Sequence, residues 1–155
     1  MLEIKLFTEC QENIDYLAKL QYAEITRHWV SEASIETVKQ KLIQHLNQNS
    51  MPLTYVALLN KVPIGMASLR ENDGIRKDLT PWLGSLVVDP AFRKNNVGEK
   101  LIAAIKAKAI QFGYNTLYLL AFDPTIPQWY SKLGWEIIGT DYLFSHRVTV
   151  MKTLM

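Results

Sequence analysis

A strand, a basic turn and a long helix follow one another between Leu83 and Phe112, and this segment constrains the fold more than any other. Its first part, LGSLVV, is dense in apolar and β-branched residues, which is typical of a buried strand. Asp89-Pro90 ends that strand, because proline fixes φ and has no amide hydrogen to donate to a neighbouring strand. The chain is therefore predicted to leave the sheet at Asp89.

A helix is predicted after the turn from the spacing of the apolar residues. These residues recur every three or four positions on one helical face, at Val97, Leu101, Ile102, Ile105, Ala109 and Phe112. Gly113 supplies the left-handed position that commonly closes a helix. A second buried strand is predicted from Thr116 to Phe122. The order strand, helix, strand implies a right-handed crossover between two strands that are parallel or nearly so.

The turn between strand and helix, RKNNVG from Arg93 to Gly98, has the composition of an anion site. Two cations and two asparagines precede a helix whose first amides lack partners of their own. Asparagine adopts left-handed backbone angles more readily than most residues, so the turn can be tight. The residues alone leave two interpretations open, a phosphate site and an ordinary solvated basic turn.

Two motifs resemble those of the GNAT superfamily of N-acetyltransferases. Arg93-x-x-Asn96-x-Gly98 is similar to the acetyl-CoA signature Arg/Gln-x-x-Gly-x-Gly/Ala, with asparagine in place of the first glycine. About thirty residues later, Tyr130-x-x-Leu133-Gly134-Trp135 resembles the family's Tyr-x-x-Leu-Gly-Phe/Trp element. The order of the predicted strands and helices extends the resemblance over essentially the whole chain.

The resemblance implies an α/β (α+β) fold with one mixed sheet of about seven strands, a splayed central parallel pair and about four helices. The pattern predicts a first strand in residues 1–7 and helices from Thr8 or Glu9 to Arg27 and from Ser34 towards Asn47. The remaining predicted strands are Leu53–Leu59, Ile64–Arg70, Ile137–Gly139 and Arg147–Met151.

Length and composition limit the kinds of protein that this chain can be. A chain of 155 residues with 48% apolar and 21% charged residues predicts a single globular domain over residues 1–155. A net charge of +2 without a basic arm predicts neither a nucleic acid nor a membrane partner. The lone Cys10 cannot form an internal disulfide, and no Cys/His cluster has metal-ligand spacing, so no metal is expected. Without a signal peptide or an apolar run of about 20 residues, a cytoplasmic protein is expected.

The resemblance further implies a function and a set of site residues. It implies an enzyme that uses acetyl-CoA as co-substrate and acetylates a primary amine of a small molecule or a peptide N-terminus, by direct transfer in a ternary complex. The residues implied to bind acetyl-CoA are Leu86, Val87, Val88, Arg93, Lys94, Asn95, Asn96, Val97 and Gly98. The residues implied near the acceptor amine are Glu24, His28 and Trp29, and the residue implied to protonate the departing thiolate is Tyr130.

Several alternatives remain open from the sequence. Tyr130 could be a core tyrosine, and Trp29 could be a packing residue. Many family members place a glutamate on the fourth strand as a base, whereas this chain has Gly84 and Ser85 there. The proton could leave through water, or through one of several side chains that cannot be ranked: Glu24, Glu71, Asp73, Asp123 and His146. A non-catalytic acyl-CoA-binding module is the alternative function, and the chain could be a monomer or a homodimer.

Overall fold

Seven strands form one mixed sheet that organises the chain, and the computed structural model describes all residues, 1–155. The strands occur in the spatial order β1-β2-β3-β4-β5-β7-β6. Their bounds are β1 Leu2–Leu6, β2 Leu53–Leu59, β3 Val62–Arg70, β4 Trp82–Val88, β5 Thr116–Ala121, β6 Glu136–Leu143 and β7 His146–Leu154.

Four helical bodies pack on this sheet, as predicted. The first is continuous from Ile14 to Trp29: α1 (Ile14–Gln21), a π-helical turn (Tyr22–Thr26) and the short α2 (Arg27–Trp29). The other three are α3 (Ile35–Ile43), α4 (Val97–Gln111) and α5 (Ile126–Lys132). None of these helices is long and apolar enough to cross a membrane.

The pair β4–β5 is the only parallel pair, and the two strands separate after one residue pair. Trp82 lies opposite Tyr118, and no other register pair joins the two strands. All other neighbouring strands are antiparallel. The predicted splayed parallel pair at the centre of a mixed sheet is therefore confirmed.

Two hydrophobic layers cover the two faces of the sheet. On one face, α4 places Leu101 and Ile105, both fully buried, in a cluster with residues of β2, β3 and β5. On the other face, α1 and α3 pack Leu17 and Leu42 against β2, β3 and β4. Burial of each such side chain stabilises the fold by roughly 1.5–3 kcal/mol, so the two layers hold β4 in place from both sides.

Two predicted helix boundaries differ from the structure. The first helix begins at Ile14 and not at Thr8 or Glu9, because two short 3₁₀ turns, Phe7–Glu9 and Gln11–Asn13, come first. These turns direct Phe7 and Cys10 into the core, which a regular helix would have placed differently. The helix after Ser34 is capped as predicted, with the Thr37 amide donating to Ser34 Oγ at 3.1 Å.

That second helix, α3, ends at Ile43 and does not extend towards Asn47. Beyond Ile43 the backbone tightens to hydrogen bonds between residues three apart, such as His45 N–H to Leu42 O at 2.9 Å. The tighter turn brings His45 to a buried position.

The β2–β3 connection is shorter than predicted. Asn60 and Lys61 form a two-residue turn with φ of 50° and 70°, and β3 already begins at Val62. Pro63 lies within β3 next to an irregular register in β2, where a residue without an amide hydrogen is tolerated.

Candidate functional site

A single large cleft of about 1170 Å³ opens where β4 and β5 separate. The cleft is lined by residues of β3, β4 and β5, by the helical segment ending at Trp29, by α3, by the first turn of α4, and by α5. Beyond Trp82 the side of β4 that faces β5 has no paired neighbour. Backbone amides and carbonyls there are free to bond a ligand in the cleft.

The basic turn forms one end of the cleft. Asn96 precedes α4 in the left-handed conformation, with φ 60° and ψ 21°, as its residue type predicts. Lys94 also has a positive φ, 70°. The first intrahelical acceptor of α4 is the Asn96 carbonyl, which takes the Lys100 amide at 3.1 Å. The amides ahead of Lys100 therefore lack a helical partner, and the N-terminus of a helix favours an anion.

Gly98 lies in the first turn of α4, directly beneath Trp129. A Cβ on Gly98 would lie 3.2 Å from Cη2 of Trp129, closer than most carbon contacts. The missing side chain thus lets α5 approach the start of α4. The two predicted motifs, the basic turn and the Tyr130 element, meet at this contact.

Arg93 connects the basic turn to the first helical segment. Its Nη2 donates to Oε1 of Glu24 at 2.7 Å, and its Nε donates to the Val88 carbonyl at 3.2 Å. The Arg93 side chain is 52% exposed, so about half of it still faces solvent and the cleft. Glu24, expected from the sequence near the acceptor, thus lies beside the basic turn.

The middle of β4 has an irregular backbone. Ser85 has a φ of 50°, and the register with β3 shifts between Met66 and Ser68. Such a bulge bends a strand and redirects its backbone groups. Leu86, Val87 and Val88 follow the bulge and line the cleft, although the side chain of Val87 packs into the layer of α1 and α3.

Tyr130 lies on α5 in the wall of the cleft and is 7% exposed. Its ring packs edge-to-face against Trp129, at 4.9 Å between centroids, and against Trp135, at 5.6 Å. Burial raises the pKa of the Tyr130 phenol well above its usual range, because the charged phenolate is poorly solvated there. The hydroxyl therefore stays protonated at neutral pH and can donate a proton.

Two further aromatic residues, Trp29 and Phe122, also line the cleft. Trp29 stacks on Phe122 with 5.4 Å between ring centroids, and the His146 ring meets Trp29 edge-on at 5.2 Å. Trp29 lines the cleft, whereas His28 and Asn95 are exposed and do not line it. Asn95 instead donates from Nδ2 to the Phe92 carbonyl at 3.3 Å. Of the residues named from the sequence, His28, Asn95 and the alternative proton acceptor His146 are thus the three that do not line the cleft.

A polar network beside Gly84 was not anticipated from the sequence. The Arg70 guanidinium donates from Nε to His45 Nε2 at 3.0 Å, from Nη1 to Asp73 Oδ1 at 2.8 Å, and from Nη2 to Ser85 Oγ at 2.7 Å. Because arginine only donates, His45 Nε2 accepts, and the proton lies on Nδ1, which donates to the Lys41 carbonyl at 2.8 Å. Arg70 Nη1 occupies the space that a Cβ on Gly84 would need.

Burial and charge shift the pKa values of two members of this network. Burial, and next the Arg70 charge, lower the pKa of His45 to about 4, so the ring is neutral. Burial raises the pKa of Asp73, although Arg70 opposes that rise. No spacing pattern links positions 45, 70 and 85, and only the fold brings them together.

A sequence model of the acetyltransferase (GNAT) family matches residues 15–135, which include β4, the basic turn and the Tyr130 element. The chain belongs to the GNAT family. The resemblance derived from the two motifs is thereby confirmed. A sequence search among curated proteins finds no significant match.

Several solved structures share the GNAT fold with this protein at low sequence identity. An aminoglycoside 6'-N-acetyltransferase complexed with coenzyme A is 18% identical with a TM-score of 0.77, covering 98% of this chain and 96% of that one. The PaiA N-acetyltransferase from Thermoplasma acidophilum, in complex with coenzyme A, is 20% identical with a TM-score of 0.76, covering 100% and 99%. A chain of the NatC complex bound to Gag peptide and CoA is 17% identical with a TM-score of 0.73, covering 99% and 98%.

Within the GNAT family pattern, this chain departs at two positions of the cleft. Asn96 takes the left-handed position of the signature's first glycine and keeps the turn shape, with no capping hydrogen bond from its side chain. Gly84 and Ser85 take the place of a strand carboxylate, and the Arg70 guanidinium with Asp73 fills that space. The first departure concerns the donor end of the cleft, and the second concerns proton removal.

Proposed function

We propose that this GNAT protein is an acetyl-CoA-dependent N-acetyltransferase that acetylates a primary amine of a small molecule or a peptide N-terminus. The observation that carries the proposal is the single cleft that joins the start of α4 to Tyr130 between the separated strands β4 and β5. A thioester donor needs an anion site for its phosphates, backbone partners for its amide-containing arm, and an acid near its sulfur. This cleft offers all three in that order.

The donor is proposed to bind along the free side of β4. The unpartnered amides at the start of α4, with Lys94 and the exposed part of Arg93, hold the pyrophosphate. Leu86 and Val88 contact the pantetheine arm, and backbone groups of β4 hydrogen-bond its amides. A β4 amide near Val88 faces the thioester oxygen and stabilises the charge that develops on it.

The transfer is proposed to be direct, within a ternary complex. The lone pair of the neutral amine forms a bond to the thioester carbon, and the C–S bond then breaks with its electron pair on sulfur. The Tyr130 hydroxyl gives its proton to the thiolate and recovers a proton from the nitrogen of the new amide. No covalent enzyme intermediate is needed, because both reactants lie in one cleft.

The structural neighbours support an amine acceptor, but they favour neither a small molecule nor a peptide. One neighbour is an aminoglycoside transferase, and another is bound to a peptide. The acceptor end of this cleft has Trp29 and Phe122 on one wall, which suit an acceptor with apolar surface next to its amine.

The decisive experiment measures release of free thiol from acetyl-CoA over a panel of small amines and short peptides. We expect release with at least one primary amine, and mass spectrometry should find the acetyl group on its nitrogen. Isothermal titration should give acetyl-CoA binding at or below the millimolar range. Failure to bind acetyl-CoA by folded protein would reject the proposal.

A second function, a non-catalytic acyl-CoA-binding module, is favoured by Asn96 in the signature and by the absence of a carboxylate on β4. The same assay separates the two functions. Thermal stabilisation by acetyl-CoA, together with no thiol release on any amine of the panel, would favour the module.

A further inference from the structure

Acetylation of an amine at neutral pH requires removal of a proton from the ammonium form, and a base on the enzyme accelerates that step. An unperturbed alkyl amine has a pKa of about 10 and a peptide N-terminus one of about 8, so most of either acceptor is protonated at pH 7. The candidates are the carboxylates that line the cleft: Glu24, Glu71, Asp73, Glu99 and Asp123.

Four of these carboxylates are committed elsewhere or poorly placed. Glu24 pairs with Arg93 at 2.7 Å and so lies beside the basic turn, at the end of the cleft proposed for the donor phosphates. Asp123 accepts from the amide and the hydroxyl of Thr125, at 2.9 and 2.7 Å, and these bonds lower its pKa and weaken it as a base. Glu99 lies in the first turn of α4, at the end proposed for the donor phosphates. Glu71 is an exposed residue after the end of β3.

Asp73 differs from the other four chiefly in position. Its side chain is only 17% exposed. Its Oδ1 lies 3.3 Å from the position that a Cβ on Gly84 would take, just beyond Trp82, where β4 and β5 begin to separate. The chain therefore delivers a carboxylate to the wall of the cleft beside Gly84 from the β3–β4 connection and not from β4 itself.

One oxygen of Asp73 is held, and the other is available. Oδ1 accepts from Arg70 Nη1 at 2.8 Å, while Oδ2 accepts no hydrogen bond from the protein. Arg70 is in turn fixed by His45 and Ser85, so it cannot swing away from the carboxylate easily. The hydrogen bonds of Arg70 to His45, Ser85 and Asp73 together fix the direction in which Oδ2 of Asp73 points.

We infer that Asp73 is the catalytic residue that takes the proton from the acceptor ammonium, and that Arg70 is the residue that positions it. This inference rests on the proposed N-acetyltransferase function. The ammonium N–H bond breaks, its electron pair stays on nitrogen, and the proton moves to Oδ2 of Asp73. After transfer of the acetyl group, Asp73 releases that proton to solvent, while the second proton lost by nitrogen reaches the CoA thiol through Tyr130.

The surroundings of Asp73 suit this role. Burial raises its pKa and makes it a better base than an exposed carboxylate. The charged groups that face it are Arg70 on β3 and Lys41 on α3, and both act against that rise. His45 is neutral above a pH of about 4 and adds no charge in the working range.

The test compares Asp73→Asn with the matched control Asp78→Asn. Asp78 is a carboxylate of the same connection that is 63% exposed, pairs with Arg76 and does not line the cleft. The measured quantity is kcat/KM for the best amine of the panel as a function of pH. At neutral pH we expect Asp73→Asn to lose about 100-fold or more, as for removal of a general base.

The loss should shrink by about tenfold per pH unit as the pH rises towards the pKa of the amine, because free amine then replaces the enzyme's base. The dissociation constant for acetyl-CoA should stay within about twofold of the wild-type value, and Asp78→Asn should match the wild type throughout. A second variant, Asp73→Ala, should recover activity when formate is added, whereas Asp78→Asn should not respond to formate.

Three outcomes would overturn the inference. A pH profile of Asp73→Asn parallel to that of the wild type would reject it while leaving the transferase function intact. Failure of both Asp73 variants to fold, judged by circular dichroism, would make the carboxylate a structural partner of Arg70. Absence of thiol release by the wild type on every amine would reject the transferase function itself, and this inference with it.

Discussion

The Tyr130 side chain is almost fully buried but still borders the cleft. It is enclosed by Trp129 and Trp135, yet it lines the cleft that joins the start of α4 to β4. A phenol in such a place remains protonated and aligned without a hydrogen-bond partner that would consume its proton.

The first prediction concerns Tyr130→Phe. We expect turnover to fall about 100-fold, because the thiolate then leaves without a proton donor. Acetyl-CoA affinity should change by less than about twofold, since phenylalanine keeps the ring contacts with both tryptophans. Stopped-assay turnover and calorimetry measure the two effects separately, and unchanged turnover would remove Tyr130 from the mechanism.

The second prediction concerns His45 and the pH dependence of folding. Its pKa is about 4 in the folded protein and near 6.5 when unfolded. Between these values the unfolded chain binds more protons, so stability is complete above about pH 6.5 and declines as the pH falls towards about 4. The loss should reach about 3 kcal/mol at most.

Urea unfolding of the wild type and of His45→Gln at several pH values measures this effect. Glutamine can still accept from Arg70 but does not titrate, so its stability should fall less over the same range. If the free energy of unfolding of the two proteins falls equally as the pH is lowered, His45 does not control the loss of stability in acid.

Among the helices and strands, α4 is the one whose first turn has an unusual backbone conformation and also lines the cleft. Asn96 holds a left-handed conformation that opens the first turn of the helix towards the cleft. Gly98 keeps that turn free of a side chain and lets Trp129 lie against it. The helix therefore presents the amides of its first turn to the donor end of the cleft.

The third prediction compares Asn96→Gly with Asn96→Val. Valine is β-branched and resists positive φ, so it should cost about 1–2 kcal/mol of stability and weaken acetyl-CoA binding by tenfold or so. Glycine accepts the same angles without strain, and it should bind acetyl-CoA at least as tightly as the wild type. Thermal unfolding measures the stability of both variants, and calorimetry measures their affinity for acetyl-CoA. Equal affinities of the two variants for acetyl-CoA would contradict the role of this turn.

At the scale of the whole molecule, the cleft depends on elements from both halves of the chain. The layer of α1 and α3 and the layer of α4 hold opposite faces of the same strands, β2 and β3. Because few contacts can be lost in one layer without disturbing these strands, we expect residues 1–155 to unfold as one cooperative unit.

The fourth prediction follows from this coupling. Acetyl-CoA at about 100 times its dissociation constant should stabilise the protein by about 2.7 kcal/mol. For a domain of this size that raises the Tm by roughly 5–11 °C, in a single transition. Differential scanning calorimetry with and without acetyl-CoA measures both properties, and two separate transitions would contradict the single unit.

The predictions that the structure confirms come from local physics. The left-handed Asn96, the closing Gly113 with φ of 94°, the Ser34 cap and the apolar face of α4 each depend on residues within a turn or two. Backbone preference and helical periodicity act over that distance, so the sequence carries their signal. The splayed pair β4–β5 was expected from the family resemblance, which two motifs in the right order supplied.

The network beside Gly84 depends on the tertiary structure alone. His45, Arg70, Asp73 and Ser85 come from a turn, a strand, a loop and another strand, and no periodic pattern relates their positions. The pairing of Arg93 with Glu24, 69 residues apart in the chain, is of the same kind. Hydrogen bonds reach about 3 Å, so such groups meet only after packing of the hydrophobic layers has fixed where each backbone lies. The order of the elements, the family and the basic turn can be read from the sequence. The placement of a carboxylate beside Gly84 depends on long-range packing, which no local pattern records.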